Sequence, residues 1–282
     1  MSLAVKVVVA VAALAGVAYA ALLVWLRANE DRLLFQPDVG KLAPPPPALQ
    51  LDSRDVTFTS DAGITLVARM IMPPASVREP RWMLYLHGSS GNVGTPGYNE
   101  AWARFRDQGL GVFAVDYRGY GQSSGTPSEL GMYRDAKAAY AYLRDHVGVP
   151  PSRIFIYGYS LGSAVAVDLA TKVDAAGLLV EGALLSVPER AAELYWYVPV
   201  RWLARNRFPS VDKVAQVKMP KLFLHARDDE AVPFSHGQRL YDLAPPPKRL
   251  AAVRGGHTTA YKEDPAFFAA VVAFVNDVSN AP

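Results

Sequence analysis

Residues 153–170 read RIFIYGYSLGSAVAVDLA: a short apolar run, the turn Gly158-Tyr159-Ser160-Leu161-Gly162, then small and aliphatic residues at helical spacing. Ile154, Phe155, Ile156 and Tyr157 are β-branched or aromatic and nearly continuous, as in a strand covered on both faces of a parallel sheet. Ala164, Val165, Val167, Asp168, Leu169 and Ala170 follow without Gly or Pro, which suits a helix packed on that sheet. The stretch reads as strand, tight turn, helix. Such a turn forces its central Ser into a strained backbone conformation, the flanking glycines leave room, and Ser160 Oγ is pushed out of the sheet. A bare G-x-S-x-G arises by chance about 0.1 times in a chain of this size. Its weight comes from the elements around it and from partners elsewhere; a Ser capping a plain strand-to-helix turn is the competing reading.

Working outward, residues 81–86 form an apolar strand running into His87-Gly88-Ser89-Ser90-Gly91-Asn92. A small, Gly-rich loop after a central strand leaves backbone N–H groups free to face an anion, and Ser89 N–H is the candidate donor to a tetrahedral oxyanion. Residues 99–108 read as a helix, 111–116 as a buried strand, and 130–146 as an amphipathic helix. In the loop between the last two, Asp116 and Arg118 are expected to hold local structure rather than to react. Residues 54–59 and 64–72 flank a turn and predict an antiparallel hairpin at a sheet edge. Further on come strands at 177–186, 219–225 and 249–253 and helices at 234–243 and 265–278. The alternation predicts an α/β fold: a mostly parallel central sheet of about eight strands with helices on both faces.

A neutral serine hydroxyl is a poor nucleophile; it needs an imidazole to take its proton and a carboxylate to orient that imidazole. Of five histidines, His87 precedes the oxyanion loop, His146 ends a helix, His225 ends a strand and His236 begins a helix. His257 follows Gly255 and Gly256, which let the backbone carry its ring toward Ser160. Asp228 and Asp229, in the loop after strand 219–225, are both candidate acids.

Residues 188–209 hold Leu194, Tyr195, Trp196, Tyr197, Trp202 and Phe208 and break the alternation. They suit a lid, about 187–216, over an apolar acyl site, with Tyr159, Tyr195, Trp196 and Trp202 expected near substrate; core packing against the sheet and a surface resting on lipid are the alternatives.

Residues 7–26 carry no charge, and as a helix they extend about 30 Å, the thickness of a bilayer's hydrocarbon core. Lys6 and Arg27 bracket the run, and Trp25 stands where an interfacial aromatic belongs. Residues 1–28 read as a single-pass membrane anchor. A cleaved signal peptide competes, since Ala18-Tyr19-Ala20 fits a small-x-small cleavage site, although the apolar run continues beyond it. Flanking charges are too evenly divided to orient the span. Residues 29–50 read as a juxtamembrane segment and linker, with Pro44–Pro47 as a polyproline II spacer, leaving 51–282 as the catalytic body.

Net charge is +3 with scattered basic residues, so nucleic acid is not an expected partner. There is no cysteine, which removes thiolate chemistry and disulfides. Without an H-E-x-x-H or phosphate-cradling motif, no metal or cofactor is expected.

The segments LLFQP, LHGSSGN, DYRGYGQSSG, GYSLG, SVPER, PVRWLARNRFPS, LHARDDEAVPFSHG and GGH together resemble the α/β-hydrolase superfamily, in particular the membrane-anchored Bem46-like group with its α/β-hydrolase domain-containing 13 and 17 relatives. The resemblance covers nearly everything after the anchor. It implies the α/β-hydrolase fold and a Ser-Asp-His chain order, here Ser160, Asp229, His257. The group's H-x-x-x-D-x-x-[VI] pattern, read from His225, selects Asp229 over Asp228, and the second oxyanion N–H falls on Leu161. The departure is Ala226, where many relatives have Gly. The expected function is a membrane-anchored serine hydrolase of esters or thioesters, acting on a small-molecule or lipid acyl substrate or an acylated protein. An acyltransferase using the same triad and a non-catalytic lipid-binding protein are the alternatives.

Overall fold

Strands that read as unbroken apolar runs lie in the middle of the sheet, where burial on both faces demands that composition. The structure is a computed structural model that describes residues 1–280. Its eight-stranded sheet comprises β1 (Ser53–Thr59), β2 (Thr65–Ile71), β3 (Arg81–Leu86), β4 (Leu110–Asp116), β5 (Ile154–Tyr159), β6 (Gly177–Glu181), β7 (Lys221–Ala226) and β8 (Lys248–Val253). Spatial order is β1-β2-β4-β3-β5-β6-β7-β8. β1 pairs antiparallel with β2 and β2 with β4, while the remaining neighbours are parallel. This is the α/β-hydrolase arrangement that the sequence predicts.

Alternation along each strand divides the core in two. Ile154 and Ile156 of β5 join Leu84, Val180, Met132 and Ala166 on one face. Phe155 and Tyr157 join Met83, Trp102, Phe267 and Phe274 on the other. Helices Glu129–Ala141, Leu161–Ala170 and Phe234–Leu243 cover the first face, and Pro96–Asp107 and Ala266–Ser279 the second. Every parallel strand therefore ends at one edge, where α/β sheets keep their sites.

Two elements differ from expectation. Strand 177–186 stops at Glu181 because Gly182 takes φ +55 and turns the chain over the sheet edge. Helix 130–146 finishes as a π-helical turn, Tyr142–His146.

At the amino end, helix Leu3–Ala28 has mean hydropathy 2.6 over its most apolar stretch, and none of its residues is buried. It is long and apolar enough to cross a membrane. Residues 29–50, expected as a juxtamembrane segment and linker, lie against the body. Phe35 is buried beside Phe208, ring centroids 6.2 Å apart, and Gln36–Pro37 pairs in parallel with Ser90–Gly91. Near the proline run, the buried Arg69 guanidinium donates to Ala43 O at 2.8 Å, and Arg106 donates to Leu49 O at 3.0 Å. Prolines donate nothing, but the carbonyls around them accept, and a buried Arg needs acceptors.

Candidate active site

The elbow is built by exclusion. Ser160 sits at φ 53°, ψ −123° between β5 and helix Leu161–Ala170, and its N–H donates to Glu181 O at 2.9 Å. A Cβ on Gly162 would stand 2.1 Å from Leu86 O, and one on Gly158 2.4 Å from Gly162 O and 2.6 Å from Ala166 Cβ. Both glycines are required because the helix leaves the strand at once and crosses against its neighbours. Such strain persists only where the surroundings enforce it, and it lifts Oγ clear of the sheet.

Three side chains from three loops meet above this edge. Ser160 Oγ is 2.9 Å from His257 Nε2, and His257 Nδ1 is 2.7 Å from Asp229 Oδ2. Asp229 Oδ1 accepts from Ala231 N and Val232 N at 2.9 and 2.7 Å. Burial opposes ionisation of this carboxyl, but the His257 hydrogen bond and charge, with the Val232 N–H, outweigh it and hold Asp229 below the usual carboxylate range. An ionised Asp229 accepts from Nδ1–H, which leaves Nε2 as an acceptor for the Ser160 hydroxyl proton. Asp228 is exposed and outside this line. His225 is also close to Asp229, but its Nε2 donates to Val232 O at 2.8 Å. Burial pushes its pKa down, leaving it as a neutral support for the acid's loop.

Residues that the sequence did not single out hold His257 in place. Glu230 Oε2 accepts from His257 N at 3.0 Å. Gly182 lies so near that a Cβ there would be 2.9 Å from His257 Cε1. Glu181 shares a small void with His257 and Asp229 and accepts from Tyr157 Oη at 2.6 Å; burial pushes its pKa up to about 7. Tyr159, expected at the substrate, is instead buried beneath the ring and donates to His257 O at 3.1 Å. It alternates inward at the end of β5, so its hydroxyl meets the loop from below.

Ser89, Ser160 and Leu161 line one cavity. Leu161 is the first residue of its helix, and its N–H has no intrahelical partner. The Ser89 N–H belongs to the planar peptide whose carbonyl, Gly88 O, accepts from His87 Nδ1 at 2.8 Å, so His87 fixes where that N–H points. Ser89 O in turn accepts from Tyr120 Oη and Gln36 N at 2.8 and 2.9 Å. Arg118 pairs with Asp135 and Asp61, and Asp116 accepts from Val93 N, as loop supports.

The cavity measures about 560 Å³ and is apolar apart from a few groups such as Arg27, Glu30 and Arg190. Segment 187–203, with helices Val187–Leu194 and Val200–Leu203, roofs it through Val187, Leu194, Tyr195, Tyr197 and Val198. His236 fixes the roof by accepting from Leu185 N at 3.1 Å and donating to Glu193 Oε1 at 2.9 Å. Of the roof aromatics expected at substrate, Tyr195 lines the cavity, whereas Trp196 and Trp202 are 84% and 90% exposed and turn outward. Trp202 stands on the outer face of helix Val200–Leu203, and Trp196 lies in the turn between the two helices. Leu22, Leu26, Leu33 and Leu34 from the amino end complete the wall. Among the described residues, no three metal-ligating side chains converge.

Known proteins resemble this chain in sequence and in fold. The Hydrolase_4 family, described as serine aminopeptidase S33, matches residues 79–213. An uncharacterized protein of Mycobacterium tuberculosis is 32% identical over 248 residues, 88% of this chain and 87% of the relative. The chain belongs to the α/β-hydrolase family. This α/β-hydrolase is also 41% identical over 134 residues to the alpha/beta hydrolase domain-containing protein aho-3 of Caenorhabditis elegans, 48% of this chain and 39% of the relative. To the human alpha/beta hydrolase domain-containing protein 17C it is 37% identical over 134 residues, 48% of this chain and 40% of the relative. It therefore spans about two fifths of each of those two relatives. Among solved structures, the Pyrococcus furiosus esterase Pf2001 superposes with TM-score 0.71 at 20% identity, covering 87% of this α/β-hydrolase and 100% of the esterase, a likeness of fold.

Proposed function

We propose that this α/β-hydrolase is a membrane-anchored serine hydrolase that cleaves carboxylic esters or thioesters with apolar acyl groups. The observation that carries the reading is the continuous hydrogen-bond line Ser160–His257–Asp229 at the floor of a large apolar cavity. Ser160 Oγ attacks the acyl carbon as its proton passes to His257 Nε2, and Asp229 stabilises the imidazolium that forms. The carbonyl oxygen becomes an oxyanion facing the N–H groups of Ser89 and Leu161. Collapse breaks the bond to the leaving alcohol or thiol, which takes the proton from His257, and leaves an acyl ester on Ser160. Water then gives its proton to His257, adds to the acyl carbon and releases the acid, while the proton returns to Oγ.

An uncut anchor is supported by contacts along its carboxyl half. Tyr19 Oη donates to Tyr197 O at 2.6 Å, Arg27 donates to Leu203 O, and Leu22 and Leu26 line the cavity. Cleavage after Ala20 would discard the first of these contacts. A fluorophosphonate probe on purified full-length protein in detergent tests the chemistry: labelling should vanish in Ser160→Ala, and labelling that survives rejects the assignment. Graded p-nitrophenyl esters and acyl thioesters then rank chain length and leaving group.

A further inference from the structure

Ester hydrolysis at Ser160 does not by itself require the anchor to touch the catalytic body, yet here the anchor is part of the cavity wall. Leu22 and Leu26 come from helix Leu3–Ala28, and Leu33 and Leu34 from the short helix that follows. Resting on the serine-hydrolase reading above, we propose that the anchor helix and the aromatic segment 194–203 form one membrane-seated mouth. Through it, the long acyl chain of a bilayer-resident ester or thioester slides sideways from the lipid to Ser160.

Three observations point the same way. First, the short helix that follows the anchor is clamped to the chain just beyond the roof. Glu30 Oε1 accepts from Arg205 N and Asn206 N at 2.9 and 2.8 Å, and Asp31 Oδ1 accepts from Asn206 Nδ2 at 2.7 Å. Burial resists ionisation of Glu30, but the two backbone N–H donors and the Arg205 and Asn206 side chains hold its pKa below the usual carboxylate range.

Second, the clamp sets a depth. Tyr19, which bonds Tyr197, lies about 10 Å along the helix axis from Leu26. If residues 7–26 fill the hydrocarbon core, segment 194–203 reaches just below the headgroups, at the depth of an interfacial amphipathic element. Third, the outward side of that segment is aromatic. Trp196 and Trp202 are almost fully exposed, with Trp25 exposed on the anchor, and indoles favour the membrane interface over water. With the mouth at that level, an acyl chain passes from lipid into an apolar cavity without exposing its methylenes to water.

The natural chain has no cysteine, so single cysteines give clean labels in full-length protein reconstituted in phosphatidylcholine vesicles. Spin labels at Trp196→Cys and Trp202→Cys should be open to oxygen and shielded from a water-soluble nickel chelate, and a label at Asp228→Cys should show the reverse. Turnover of a palmitoyl ester held in the vesicles should fall at least about tenfold in Trp196→Ser/Trp202→Ser, while p-nitrophenyl acetate from water stays within about twofold. Leu26→Trp should lower the ratio of palmitoyl to acetyl turnover. Labels open to the chelate, equal losses for both substrates, or an unchanged palmitoyl rate would overturn the mouth, equal losses marking a purely structural role. Should the unaltered protein hydrolyse neither substrate and escape the fluorophosphonate, the hydrolase reading fails instead, and the label depths still judge the membrane seating.

Discussion

At the carboxyl edge of the sheet, each reacting group is held by several bonds in a closely packed surround. Ser160 is set by its elbow and by Glu181 O, Asp229 by two N–H groups, and His257 by Glu230 and Tyr159. Across the cavity, the roof and the amino-terminal helices meet through the Glu30 and Asp31 carboxylates, the Tyr19 and Arg27 side chains and the Phe35–Phe208 contact. A floor packed too closely for a Cβ at Gly158 or Gly162 allows almost no displacement, whereas the roof, carried on helices of eight and four residues, leaves Trp196 and Trp202 exposed. Floor and roof are thus held differently around one cavity.

That contrast can be broken first on the floor. Ser160→Ala should cost at least about 10⁴-fold in kcat for every ester tested, since the remaining groups supply binding and oxyanion contacts alone; a smaller loss places the nucleophile elsewhere. Asp229→Asn should cost about 10³ to 10⁴-fold with little change in KM, because an amide can present its N–H to Nδ1 and select the wrong tautomer. Equal activity of Asp229→Asn and Asp228→Asn would remove Asp229 from the line.

Changes away from the three reacting side chains should act on stability. Phe35→Ala should lower unfolding stability in detergent by about 3 kcal/mol, the cost of a cavity beside Phe208, while saturating fluorophosphonate still labels Ser160. Loss of labelling in folded Phe35→Ala would show that the amino-terminal segment also sets the chemistry. Smallest is the pH effect of Glu181, raised from 4.5 to about 7. The folded state binds the extra proton, so this stabilisation is complete below about 4.5 and fades as pH climbs through 7. Glu181→Gln should flatten that decline, a difference of about 2 kcal/mol between pH 5 and 8; parallel melting curves for both proteins would place the carboxyl in water.

The sequence carried the floor well, for reasons visible in particular residues. Gly158 and Gly162 flank Ser160 because atoms of the adjoining strand and helix leave no space for a Cβ, so the pattern is a local imprint of tertiary crowding. The supports were invisible. Nothing near Glu230 or Gly182 in the chain announces that they meet His257, because those contacts form only when distant loops converge. Tyr159 packs beneath His257 and Trp196 and Trp202 turn away from the cavity; an aromatic residue looks the same in sequence whichever of these it does.

By itself, then, the sequence determined the strand and helix order, the elbow and an apolar helix long enough for a bilayer. These follow from local sterics and periodicity, which are written residue by residue. Tertiary structure alone decided that the proline-rich segment packs instead of spacing, and that the amino-terminal helix walls the cavity. Those outcomes turn on Arg69, Glu30 and Phe35 finding partners far along the chain, and neither spacing nor composition records which surfaces will meet.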